Sequence, residues 1–219
     1  MEARPKGRGP FLAKKLRSAG LTVVMAMLPV AASAQIVNFA QFDYSEDTRT
    51  LVLVKALPDG RPERPDPLLT GSYTEWDTGS STSVGYVYRW ALTQGRHNWG
   101  VGAGAELTHF NSRSAGDDDE TGGSLRAQTE ISGPAPGGYY FALLQLSTFR
   151  DALFALAQYN VDKWRVGFDI SRYEEETVKN TALGVRVALD ERRRWFARLG
   201  IVDSDGDVQP FVGIAYNAF

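Results

Sequence analysis

Five arginines, Arg89, Arg126, Arg165, Arg186 and Arg198, alternate with apolar residues along short segments, and Glu106, Glu130 and Asp169 fall in the corresponding phase of theirs. In extended chain, every second side chain lies on one face. A face with that many charges needs water or partners, because burying an ionised group alone is costly. Two arrangements satisfy it. One is an ion-pair network that fills an interior. The other is a wet passage with a positive bias, since rings of arginine favour anions.

Other candidates for chemistry are weaker. Asp203-Ser204-Asp205-Gly206-Asp207 spaces three carboxylates around a glycine, like the first half of a calcium loop. The twelfth position, where such a loop carries a bidentate glutamate, is Ile214, so the segment reads as an acidic hairpin turn without metal. The acidic run 117–120 reads as a solvated loop. The two histidines are His97 and His109. His109 lies near Ser112, but in a strand these positions face opposite ways, and no acidic residue is placed to orient the imidazole. The expectation is a chain with no catalytic site and no cofactor.

The elements that must carry the charged face are strands. From 83 to 92, Val84, Tyr86, Tyr88, Trp90 and Leu92 alternate with small or polar residues. From 98 to 108, Trp99, Val101, Ala103, Ala105 and Leu107 alternate with Asn98, Gly100, Gly102, Gly104, Glu106 and Thr108. A two-residue period marks a strand, and about ten residues is the length a tilted strand needs to cross hydrocarbon. A turn at Gln94-Gly95-Arg96-His97 joins the two arms and brings Trp90 and Trp99 close together, where an interfacial aromatic belt would lie.

The same pattern recurs over 36–44, 49–57, 68–76, 124–133, 138–149, 163–173, 181–190, 194–202 and 208–219. Residues 150–160 favour a helix by propensity but are placed as a strand, because the surrounding segments leave no soluble core for a helix. The prolines of 58–67 make that stretch a loop. The total is about twelve antiparallel strands, with ten possible, in one all-β up-and-down barrel over 35–219.

Composition narrows the class. The chain has 219 residues, 22 glycines and no cysteine, so no disulfide can form. Residues 1–34 read as a cleaved export signal: six basic residues precede a 12-residue apolar run, Leu21 to Ala32, and Ala32-Ser33-Ala34 offers a small-x-small cleavage site. Removing it takes six of 24 Lys and Arg and one of 26 Asp and Glu, leaving 18 against 25 and a formal charge of −7. That charge argues against nucleic acid as a partner.

Together the signal, the two-residue hairpins, the aromatic strand ends and the terminal Phe219 resemble bacterial outer-membrane β-barrel proteins, an architecture rather than one named family. The resemblance covers about 35–219. It implies lipid and lipopolysaccharide outside, an outer-membrane location, and recognition of Phe219 by the assembly machinery. Phe219 shares parity with Phe211, Gly213 and Ala215 and not with Val212, Ile214 and Tyr216, so a bulge or a frayed end is expected there.

With both ends in the periplasm, the far connections 45–48, 77–81, 111–123, 150–151, 174–180 and 203–207 gather nearly all the loop acidity. The near turns carry Arg61, Arg64, Arg96, Arg192 and Arg193. Glycines opposite the apolar face favour lipid outside over a soluble periplasmic binding barrel, which would expose bare backbone. The expected function is a narrow polar pore for small, anionic solutes lined by Arg89, Glu106, Arg126, Glu130, Arg165, Asp169, Arg186 and Arg198. The alternative is a non-catalytic surface or polysaccharide-export accessory barrel with a closed lumen.

Overall fold

The structure is a computed structural model, and it describes residues 38–57, 66–93, 95–112, 119–175, 178–204 and 206–218. The expected signal segment 1–34 and Phe219 lie outside the described residues, as do Arg61, Arg64, Asp117, Asp118, Glu176 and Asp205.

Twelve strands form: β1 Phe39–Tyr44, β2 Arg49–Ala56, β3 Asp66–Trp76, β4 Gly79–Thr93, β5 Asn98–Ser112, β6 Glu120–Ala135, β7 Gly138–Ser147, β8 Leu153–Val161, β9 Val166–Glu174, β10 Lys179–Ala188, β11 Trp195–Ser204 and β12 Asp207–Asn217. Each pairs antiparallel with its neighbours in sequence, and β1 pairs with β12 from Phe39↔Asn217 to Tyr44↔Val212, closing a barrel. Closure removes the open edge that hydrocarbon cannot tolerate. Among the described residues no helix is long and apolar enough to cross a membrane, which says nothing of strands.

The oily residues look outward. Leu107 is 59% exposed and Leu125 70% exposed, whereas Thr108 and Ser124, one position along, are buried. Tyr86, Tyr88, Trp90 and Trp99 stand on the same outer face, so the lipid-outside parity expected for the 83–110 hairpin holds. The register slips once in this hairpin, between Ala91 and Thr93, and Trp99 therefore pairs with Thr93. Gly104 has to be a glycine, because a Cβ there would run into the Tyr86 carbonyl on the adjacent strand.

Several boundaries differ from expectation. β8 begins at Leu153 and not at residue 150, because Arg150 and Asp151 both take left-handed backbone (φ 53° and 47°) in a turn. β9 begins at Val166, after a turn in which Arg165 is also left-handed (φ 57°). β6 extends back to Glu120, shortening the acidic loop, and forward to Ala135, leaving Pro136-Gly137 as the turn. The closing strand keeps continuous register with both neighbours through Asn217, with no bulge among its described residues.

The β10–β11 connection is held by Asp190, whose Oδ1 accepts the Arg194 and Trp195 N–H groups, both at 2.8 Å. Partial burial raises its pKa, but those N–H groups outweigh burial and hold the carboxyl below the usual carboxylate range.

This architecture sets three predictions. Leu107→Arg places a charge on the outward face of β5, between its centre and the rim opposite the termini, and lowers stability in lipid by about 1–2 kcal/mol, read by urea unfolding. Gly95→Arg, in a turn with open space around it, changes stability by less than about 0.5 kcal/mol. Because the folded-state pKa of Asp190 is depressed, its contribution is present above the unfolded carboxylate pKa of about 3.9 and is lost as pH falls through the lower folded value. Asp190→Asn therefore flattens the acid limb of the unfolding profile.

Candidate functional site

The buried charges occupy the inner face, positioned by glycines on the strands between them. Arg198 on β11 donates from Nη2 to Asp169 Oδ1 on β9 at 2.8 Å and from Nη1 to Asp43 Oδ2 on β1. Gly184 of β10 lies opposite Asp169, and a Cβ there would stand 2.6 Å from Asp169 Oδ1. Gly213 of β12 lies between Arg198 and Asp43 and likewise has no room for a Cβ. The carboxylates thus reach the guanidinium across bare backbone. Gln41 adds a bond to Asp43 Oδ2 at 2.7 Å, and the guanidinium lies 5.3 Å from the Phe211 ring.

Arg186 is the cross-strand neighbour of Arg198, and its guanidinium stands 5.5 Å from the Phe196 ring. Its Nε and Nη2 have no hydrogen-bond partner among the described residues, and the same is true of Asp43 Oδ1, Asp169 Oδ2 and Asn160 Oδ1. Like charges at adjacent positions repel, so the two arginines depend on Asp169 and Asp43 for balance.

On the opposite wall Arg126 of β6 pairs with Glu106 of β5 at 3.0 Å, and its guanidinium also donates to Thr70 Oγ1 at 3.0 Å and to Gln145 Oε1. Closer to the near rim, Arg89 of β4 pairs with Glu130 of β6, and Gly100 and Gly102 leave room on the strand between.

Of the eight residues expected on this face, the structure brings seven together and excludes one. Arg165 lies exposed in the β8–β9 turn, where its carbonyl accepts the Ala188 N–H at 2.9 Å. The alternation of 163–170 suggested a strand through it, but the hairpin turns there first. Asp43 was missed. It alternates with Phe42 and Tyr44 as a charge on the inner face does, but short strand β1 gives too few repeats to weigh. With Arg165 outside and Asp43 inside, four arginines face four carboxylates between the rims, and the expected positive bias disappears.

At the rim opposite the chain termini the inner face turns aromatic. Trp76 and Phe110 meet at 5.3 Å between ring centroids, and the Arg150 guanidinium lies 4.1 Å over Phe110. Arg150 also pairs with Glu120 at 3.3 Å and with Glu175 at 3.2 Å, while the Tyr173 hydroxyl donates to Glu175 Oε2 at 2.6 Å. Arg150 and Asp151 occupy the two central positions of the hairpin turn, where positive φ normally calls for Asn-Gly. Each non-glycine residue there costs about 1–2 kcal/mol.

The remaining candidates carry no assembled chemistry. His109 Nδ1 lies 2.8 Å from Thr121 Oγ1 and His97 Nδ1 lies 3.0 Å from the Tyr140 hydroxyl, both exposed. Asp203 Oδ1 accepts the Gly206 N–H at 2.9 Å, and Gln209 bonds both Asp207 and Asp47. Among the described residues no group of three His, Cys, Asp or Glu side chains is placed to hold a metal ion.

No family model and no curated protein sequence matches the chain. Solved structures do. The chain is similar to the KdgM porin, at 8% identity over 82% of this chain and 97% of that one, with a TM-score of 0.50. It is also similar to a chain described under "Unveiling the Mechanism Behind the in-meso Crystallization of Membrane Proteins", at 9% identity over 82% of each chain, with a TM-score of 0.51. The outer-membrane protein Omp33 of Acinetobacter baumannii aligns at 10% identity over 83% of this chain and 98% of its own, with a TM-score of 0.46. Identities this low speak to fold alone, a closed β-barrel similar to that of the KdgM porin.

The charged pairs set a fourth prediction. Glu106→Leu leaves Arg126 without its carboxylate and costs about 3 kcal/mol in urea unfolding. Glu106→Leu/Arg126→Met removes both charges and costs less than the single variant; a double loss equal to the sum of the two singles would show that the pair is uncoupled.

Proposed function

We propose that this chain forms a narrow outer-membrane pore for small polar solutes, anions among them. The observation that carries the reading is the reversal of polarity across the wall. The outer face is aliphatic and aromatic, and the inner face holds four arginines and four carboxylates with several polar atoms left without protein partners. Asp169, Arg186 and Arg198 are at most 6% exposed, so the passage is narrow where these charges gather, and their ion pairs offset the cost of their burial. The porin-like fold points the same way.

Arg126 and Arg186 are the positive contacts a small anion would meet, and the nearby carboxylates shorten its stay. Export through the N-terminal signal and assembly through Phe219 belong to the same reading. A closed accessory barrel is the second reading, and the Arg150 contacts at the far mouth favour it. Neither reading needs a cofactor or a catalytic group.

Planar-bilayer recording distinguishes them. The pore reading expects discrete conductance steps from the pure protein, and Arg126→Ser/Arg186→Ser shifts ion selectivity toward cations because two of four luminal positive charges are gone. Silence from both the wild type and this variant would leave the closed barrel.

A further inference from the structure

We propose that Arg150 is the residue that controls passage through the mouth opposite the chain termini, as a latch that folds over the inner face and ties the β5–β6 side of it to the end of β9. The proposal rests on the pore reading.

Four observations converge on it. First, Phe110 shares the inner parity of Glu106 and Thr108 on β5, and Tyr173 shares that of Asp169 on β9, so the groups meeting Arg150 belong to the lumen wall and not to the lipid side. Second, one side chain reaches both flanks of the hairpin that carries it. It stacks on Phe110 of β5, pairs with Glu120 at the start of β6, and pairs with Glu175 just beyond β9. Phe110 and Glu120 are register partners on β5 and β6, so the guanidinium ties that side of the mouth to the end of β9 over the inner side of its own β7–β8 hairpin.

Third, the guanidinium and its Glu175 partner are sheltered, while Glu120 at the rim is 52% exposed. The Arg150 side chain is 18% exposed and that of Glu175 is 9% exposed, values outside the range of a freely solvated surface pair. Trp76 extends the platform beside Phe110, and Tyr173 holds Glu175 from its other oxygen. Fourth, the side chain is presented by a hairpin turn in which it adopts φ 53°, a conformation that glycine takes without cost and arginine does not. The turn is closed by the Ala152 N–H to the Phe149 carbonyl at 3.3 Å and by the Ser147 N–H to the Ala152 carbonyl at 2.9 Å. Strain held in place by surrounding contacts is a mark of sites where a side chain must be aimed.

A planar guanidinium suits this position because it can stack on a ring while its edge pairs with two carboxylates. A solute anion approaching the mouth would compete for the guanidinium, and a solute cation for Glu120 and Glu175. Either releases the latch from one side. Passage at this mouth is thereby restricted to small polar solutes that pass beside Arg150 or displace it from its partners.

The test uses the whole protein in planar bilayers. Arg150→Gly removes the latch and relieves the turn, so the variant folds, as heat-modifiable gel mobility confirms. Its single-channel conductance should rise above that of the wild type, because a charged side chain that narrows the mouth is lost. Arg150→Lys should fall between it and wild type, since one ammonium cannot bridge both carboxylates from the ring. Glu175→Gln should shift conductance in the same direction from the other partner, and Asp151→Gly, which relaxes the same turn but keeps the side chain, should leave conductance unchanged. A wild type that conducts with Arg150→Gly and Glu175→Gln both equal to it overturns the latch and leaves the pore intact. A silent wild type beside a conducting Arg150→Gly supports the latch in its strongest form. Silence from every variant overturns the pore, and the latch with it.

Discussion

A chain that crosses hydrocarbon as strands must return each backbone N–H and C=O to another strand, so the first strand has to find the last. Here that requirement is met by β1, only six residues long, docking against β12. Once the ring is closed, each strand has an inside and an outside, and the two-residue period assigns every side chain to one of them. The positions of Leu107, Glu106 and Arg126 all follow from that single constraint.

Closure also explains how the lumen accommodates its charges. Side chains from twelve strands converge on a limited interior, and each luminal arginine has a glycine as register partner on one side: Gly102 for Arg89, Gly104 for Arg126, Gly167 for Arg186 and Gly213 for Arg198. Gly184 and Gly213 leave space, letting Asp169 and Asp43 lean across them to Arg198. The glycines on the inner face are therefore part of the electrostatic arrangement. They let charged groups from non-adjacent strands meet at hydrogen-bond distance, which is what makes the interior tolerable without a hydrophobic core.

The two rims differ in kind. At the rim near the termini, the turns are held by backbone groups and by Asp190. At the opposite rim the wall ends in aromatic rings and an arginine with carboxylate partners. A solute moving between them would meet an aromatic and ionic contact first and a sequence of paired charges afterwards. That order gives the barrel an asymmetric path even though its luminal formal charges balance.

Alternation along 83–108 alone established strands, their approximate number and the residues of each face, because a pleated strand leaves a local signature that needs no partner to be read. The outward direction of the apolar face followed from the aromatic strand ends and from glycines such as Gly102 and Gly104 opposite them. Local pattern failed where the chain turns. Arg165 continues the parity of Gly167 and Asp169 but sits in left-handed backbone outside the wall, and residues 150–152 resemble the strand that follows them. Which charges pair was decided only by the tertiary structure: Asp43 and Arg198 are far apart in the chain and meet because the barrel closes between β1 and β12. The same holds for Arg150, whose partners on β5, β6 and the end of β9 are brought together by curvature. A strand's period is written in consecutive residues, whereas the contents of a lumen depend on the radius, register and closure of the whole sheet.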